Sequence, residues 1–143
     1  MTIYTIGFTK HSAEDFFGIL QRNQVKRVVD IRINKTSQLG GFAKVPDLPY
    51  FLHAVGGIEY QAMEALAPSK ELLSQYRDKS IQWNEFESKY LSLLESREVL
   101  DNLNPTDFDN SCLLCSENTP DKCHRRLLGE VLASRWGVKI VHL

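Results

Sequence analysis

The chain has 143 residues, enough for one core, and reads as a single α/β domain over 1–143. A hydrophobic fraction of 43% with a charged fraction of 24% excludes a disordered chain. Seventeen basic against eighteen acidic residues leave a net charge of −1, which excludes bulk electrostatic attraction to nucleic acid or membrane.

The opening residues, "MTIYTIGFTKHS", carry no signal-peptide pattern. No apolar run approaches the ~18 residues of a membrane span. With an odd count of three cysteines, the expected compartment is the cytoplasm, with reduced thiols.

"TIYTIGF" predicts a first strand ending near Ile6. Ser12 is a helix N-cap with Asp15 three residues on, and Phe16, Phe17, Ile19 and Leu20 give that helix its apolar face. "KRVVDIRI" is a second strand, nearly continuous in apolar character because both faces are covered. Residues 34–45 read as a loop. Pro46 opens a helix to His53 or Val55, and Gly56 and Gly57 end it. "GIEYQ" is a short strand. Helices follow at about 69–78 and 83–97, the second with Trp83, Phe86, Tyr90, Leu93 and Leu94 on one face. "NPTDFDN" is a turn, "SCLLCSE" a strand, and Thr119-Pro120 the start of a helix reaching Trp136. Gly137 ends that helix and "VKIVHL" is the last strand. Alternating strands and helices predict a three-layer α/β fold, with a mostly parallel sheet of four to five strands and helices on both faces.

Ligands of such sheets bind beyond the carboxyl ends of the strands. The distinctive polar groups of this chain fall there. Lys10 and His11 follow the first strand, Asp30 and Arg32 the second, and Cys115 and Glu117 the strand "SCLLCSE". Cys115 and Glu117 are two apart, so on a strand they share a face, and Cys112 falls on the opposite face as a core residue. Neighbouring Arg125, Arg126 or Lys10 and a helix N-terminus favour a thiolate at Cys115. Free cysteine is commonly buried, so a packing role stays open for it.

His124 has Leu127, Leu128 and Val131 on its helix face and is expected to face the sheet. Arg125 lies near the helix start, a place for an anion, and Arg126 reads as a solvated charge. Asp30 and Arg32 form either an anion site or a structural ion pair. Lys44, beside Phe42 in the long loop, is a further anion-binding candidate, the alternative being a flap with Phe42 tucked inward. Cys115, Cys123 and His124 offer three metal ligands. Paired zinc spacings are absent, and consecutive helical Cys123 and His124 would point apart, so no metal and no resident cofactor is expected.

"YTIGFTKHS", "VVDIR", the loop ending "GFAK", "GIEY" and "LLCSENTPDKCHRRLLGEVLA" resemble the family called domain of unknown function 488, in order and over nearly the whole chain. The Cys-x-Glu element followed by Cys-His-Arg is its most specific part. The resemblance implies motif positions at Gly7, His11, Asp30, Arg32, Lys44, Cys115, Glu117, Cys123, His124 and Arg125. Asn34 stands where the family pattern has proline. In layout alone, the cysteine after a strand, the loop and the helix are similar to rhodanese-like domains.

These residues support a thiol-dependent enzyme acting on an anionic, phosphate-bearing, nucleotide or nucleic-acid substrate. In that reading Cys115, Glu117, Cys123 and His124 are catalytic, and Lys10, His11, Asp30, Arg32, Lys44 and Arg125 bind substrate. The alternatives are a noncatalytic nucleotide- or nucleic-acid-binding module using the same cations, and a zinc-dependent protein. No membrane partner is expected, and the oligomeric state is left open.

Overall fold

Every expected strand forms, and all lie in one parallel sheet. The computed structural model describes residues 1–143. Strands β1 (Thr2–Gly7), β2 (Arg27–Asp30), β3 (Glu59–Ala62), β4 (Ser111–Cys115) and β5 (Lys139–His142) run in the spatial order β3-β2-β4-β1-β5. Each adjacent pair is parallel. Between them lie helices α1 (Ala13–Arg22), α2 (Asp47–Gly56), α3 (Lys70–Arg77), α4 (Trp83–Ser96) and α5 (His124–Trp136). No helix is long and apolar enough to cross a membrane.

The two-residue period of the strands sorts the core into two layers. Ile6, Val28, Cys112 and Leu114 pack with Phe16, Phe17 and Leu20 of α1 and Leu48 and Leu52 of α2. Ile3, Val29 and Leu113 pack on the other face with Phe86, Tyr90 and Leu94 of α4 and Leu127, Leu128 and Leu132 of α5. Cys112 is therefore the core residue that strand alternation predicts, and burial pushes its thiol pKa up.

The local signals explain most element ends. The Ser12 hydroxyl accepts from the Asp15 amide at 3.1 Å and starts α1. Ser69 does the same for α3 through the Leu72 amide. Gly57 and Gly137, with φ of 63° and 67°, end α2 and α5 in the left-handed conformation.

Three boundaries differ from the sequence expectation, all near one end of the sheet. Strand β2 stops at Asp30, so Arg32 lies beyond it. Strand β4 stops at Cys115, so Glu117 is not on a strand and does not share a strand face with Cys115. Helix α5 begins at His124, not at the Thr119-Pro120 pair. The Thr119-Pro120 pair starts no helix, and the residues before His124 form bends and turns. The segment expected as loop at 34–45 contains a 3₁₀ stretch, Gln38–Ala43, and "NPTDFDN" contains another, Pro105–Phe108.

Candidate functional site

The carboxyl ends of β1, β4 and β2 meet at the centre of the sheet. Gly7 stands opposite Cys115, and Asp30 opposite Leu114. The segment from Ser116 to Cys123 folds back over this end. Its Glu117 carbonyl oxygen lies 1.5 Å from where a Cβ of Gly7 would sit, so only glycine allows the loop to approach. The amide and hydroxyl of Thr9 both donate to the Ser116 carbonyl, the amide at 3.2 Å.

Arg125 holds the loop from below. It is fully buried. Its Nη1 donates to the Glu117 carbonyl at 2.5 Å, Nη2 to the Asn118 carbonyl at 3.4 Å and Nε to the Thr5 hydroxyl at 3.3 Å. All three acceptors are neutral. A guanidinium buried among dipoles with no carboxylate partner favours a negative charge nearby. Cys115, 4% exposed, lies within its field.

Burial opposes ionisation of the Cys115 thiol. The Cys123 thiol, the Glu117 and Ser116 amides and the Arg125 charge outweigh it and hold the Cys115 pKa below the ordinary thiol value. The opposite holds for Cys123. The proximity of Cys115, followed by burial, pushes its pKa up and keeps it a neutral thiol. The two sulfurs thus divide into one favoured thiolate and one thiol.

His124 completes the cluster. Its Nδ1 is 3.5 Å from the Cys115 sulfur, and its Nε2 is 2.7 Å from the Ile31 carbonyl oxygen. That carbonyl only accepts, so Nε2 carries a proton and Nδ1 is left to exchange one with Cys115. The Tyr90 ring stands edge-on to the imidazole at 5.5 Å, and the Tyr90 hydroxyl donates to the Leu66 carbonyl at 2.7 Å. The ring is fixed from both sides. His124 is buried, as its apolar helix face predicts, but it faces the end of β2 and Cys115.

Cys123 precedes α5 in an extended conformation, φ −135° and ψ 139°. The expectation that Cys123 and His124 diverge assumed that both are helical, and it does not hold. The two sulfurs and one imidazole nitrogen lie within 4.8 Å of one another, close enough to share an ion.

Asp30 and Arg32 form a buried, bidentate ion pair. Nε of Arg32 donates to Oδ1 at 2.8 Å and Nη2 to Oδ2 at 2.7 Å. Asp30 also accepts from the Arg32 amide at 3.2 Å and the Tyr60 hydroxyl at 2.6 Å. A further bond from Nη2 to the Ala43 carbonyl, at 2.8 Å, ties the 3₁₀ stretch to the sheet. Nη1 of Arg32 makes no bond within the protein, and Arg32 lines the same cleft as Cys115.

That cleft has a volume of about 90 Å³ and is lined by Arg32, Cys115, Glu117, Cys123 and His124 among the expected residues. The exposed Glu117 lies at it by virtue of the loop, not of a strand. The rest of the expected set lies elsewhere. Asp30 acts through Arg32, and Arg125 through the loop and the thiol. Lys10 is exposed, with a φ of 66°. His11 pairs with Asp15 at 2.6 Å, and Lys44 with Asp47 at 3.3 Å. Phe42 is tucked against Phe16 at 5.1 Å, so the loop is the inward-packed flap. Arg126 pairs with Glu130 on the helix surface.

Tyr76, Arg77, Trp83, Phe86 and Lys122 also line the cleft, and sequence reasoning does not single them out as site residues. Phe86 was legible as part of an apolar helix face, but that pattern does not distinguish core from cleft wall. The backbone carbonyl of Ile31 leaves no sequence signal at all.

A family model described as "Domain of unknown function DUF488" matches residues 12–132. The matched stretch includes Asp30, Arg32, Lys44, Cys115, Glu117, Cys123, His124 and Arg125, while Gly7 and His11 precede it. No curated protein and no solved structure matches the chain.

Proposed function

The chain belongs to the family described as domain of unknown function DUF488, and from that premise we propose that it is a cysteine-dependent group-transfer enzyme acting on an anionic substrate. The observation that carries this reading is the Cys115–His124 pair, sulfur to Nδ1 at 3.5 Å, with the far imidazole nitrogen held on a carbonyl. Cys115 is the nucleophile. Its thiolate forms a bond to an electrophilic atom of the substrate, and the bond from that atom to its leaving group breaks. The leaving group departs with the electron pair and takes the proton from Nδ1 of His124. An acceptor then gives its proton to Nδ1 and displaces the transferred group from sulfur, which restores the thiolate. Nη1 of Arg32 binds the substrate anion beside the sulfur. Three free thiols, one of them reactive, suit a reducing compartment such as the cytoplasm.

Alkylation with iodoacetamide, mapped by peptide mass, tests the reading. At neutral pH Cys115 is modified at least ~10-fold faster than Cys112 or Cys123, following the order of thiolate populations. The fast reaction disappears in Cys115→Ser and slows in His124→Gln. Equal, slow modification of all three thiols would leave the cleft as a binding site without a nucleophile. An intact mass higher by one zinc, lost in Cys115→Ser and in Cys123→Ser alike, would make the cluster a metal centre instead.

A further inference from the structure

The cleft's lining points to a ligand class, on the premise that Cys115 is the reacting group. Tyr76, Trp83 and Phe86 form a contiguous aromatic surface at the cleft. Tyr76 and Trp83 are 5.6 Å apart edge to face, and Trp83 and Phe86 stack at 5.2 Å with an interplanar angle of 18°. Phe86 is buried, but Tyr76 and Trp83 are only half-buried, so part of this surface is left uncovered by the protein. Half-exposed rings that border a cleft are platforms for a flat ring of a ligand.

Cations share the same cleft. Arg32, Arg77 and Lys122 line it against one acid, Glu117. Arg77 and Lys122 are exposed and take part in none of the ion pairs of the protein. Arg32 is matched by Asp30, so the cations at the cleft without a carboxylate partner are Arg77 and Lys122. A groove of about 440 Å³ shares Asn34 and Arg77 with the cleft and adds Lys70 and Asp78. The small inner cleft and the wider groove together suit a ligand larger than a bare anion.

We propose that this cleft binds a nucleoside phosphate, its base against the Tyr76–Trp83 surface and its phosphate on the unpaired cations Arg77 and Lys122 with Arg32. A simple anion has no use for the aromatic surface, and an uncharged aromatic compound has none for the cations. The two features occupy one cleft, so one ligand carries both chemistries.

Isothermal titration calorimetry on the whole protein tests this with AMP, ribose 5-phosphate and adenosine as probes. AMP binds with a Kd of about 1 mM or tighter. Ribose 5-phosphate and adenosine each bind at least ~10-fold more weakly, since each lacks one half of the recognition. Arg77→Gln, at an exposed position, weakens AMP by ~5- to 10-fold and leaves adenosine unchanged. Trp83→Leu weakens AMP and leaves ribose 5-phosphate unchanged. Ribose 5-phosphate binding as tightly as AMP would overturn the proposal, as would no AMP binding at about 10 mM. Iodoacetamide reactivity of Cys115 is read on the same samples. Fast alkylation without AMP binding removes the ligand class and keeps the nucleophile. AMP binding with slow alkylation does the reverse.

Discussion

Gly7→Ala lowers the melting temperature by roughly 10 °C and slows alkylation of Cys115. The added methyl would lie 1.5 Å from the Glu117 carbonyl oxygen and 2.9 Å from Nη1 of Arg125. The first of these is backbone and cannot swing aside. Either β1 shifts against β4, or the loop lifts from the sheet and Arg125 loses its carbonyl acceptors. Both responses cost at least the ~3 kcal/mol at the upper end of overpacking penalties. The second also moves the Glu117 amide away from Cys115, so the thiolate loses support. Gly18→Ala is the control, because the same added methyl meets only the end of the Arg22 side chain, at 3.0 Å. That change lies inside α1 and is neutral or stabilising by up to ~1 kcal/mol. Thermal melts of the two variants decide the point, and a wild-type melt for Gly7→Ala would contradict the close approach.

Asp30→Ala removes about 3–5 kcal/mol of stability. The carboxylate is 1% exposed and Arg32 3% exposed, so the substitution leaves a buried guanidinium without its counter-charge. The Ala43 carbonyl remains as its one acceptor, at 2.8 Å. Tyr60→Phe removes one hydrogen bond to the same carboxylate and costs about 1 kcal/mol. Burial, followed by the hydrogen bond to Asp30 and its charge, raises the Tyr60 phenol pKa, so the bond persists through neutral pH. The double change Asp30→Ala with Arg32→Met recovers more than half of the loss, since both charges leave together. Urea denaturation of the four proteins separates these cases. A loss for Asp30→Ala no larger than for Tyr60→Phe would mean that water reaches Arg32.

The alternation of strands and helices was readable because hydrophobic periods of 2 and 3.6 are local, and the caps at Ser12 and Ser69 are local too. Cys115 and Arg32 are legible because they fall at or just past strand ends, and Cys123 and His124 because they stand side by side at the start of the last helix. Thr119-Pro120 has the pattern of a helix start, but the helix begins at His124, and buried Arg125 donates to the Glu117 and Asn118 carbonyls of the preceding loop. Those bonds make Arg125 an anchor of the loop. Cys123 then precedes the helix in an extended conformation, which places its sulfur beside Cys115 instead of on a diverging helix face. Lys44 and His11 found nearby carboxylates in the fold, which no periodicity announces. Trp83 reads as core from its spacing, but in the fold it is half-buried and lines the cleft.

The surroundings of Cys115 hold its pKa below the ordinary thiol value. Burial opposes its ionisation, and the Cys123 thiol, the Glu117 amide, the Arg125 charge and the Ser116 amide favour it, while Arg32, Lys122 and His124 also line the cleft. Tyr90 stays a neutral phenol, because burial and then the nearby cysteines raise its pKa. The most direct test is the rate of iodoacetamide modification of Cys115 against pH, followed by peptide mass. A lowered pKa means that thiolate persists as pH falls below the ordinary thiol value. The rate should therefore hold its plateau through ~8.5 and fall only at a lower midpoint, with Arg125→Met moving that midpoint upward. A midpoint at or above ~8.5 in the wild-type protein would mean that Cys115 is an ordinary thiol.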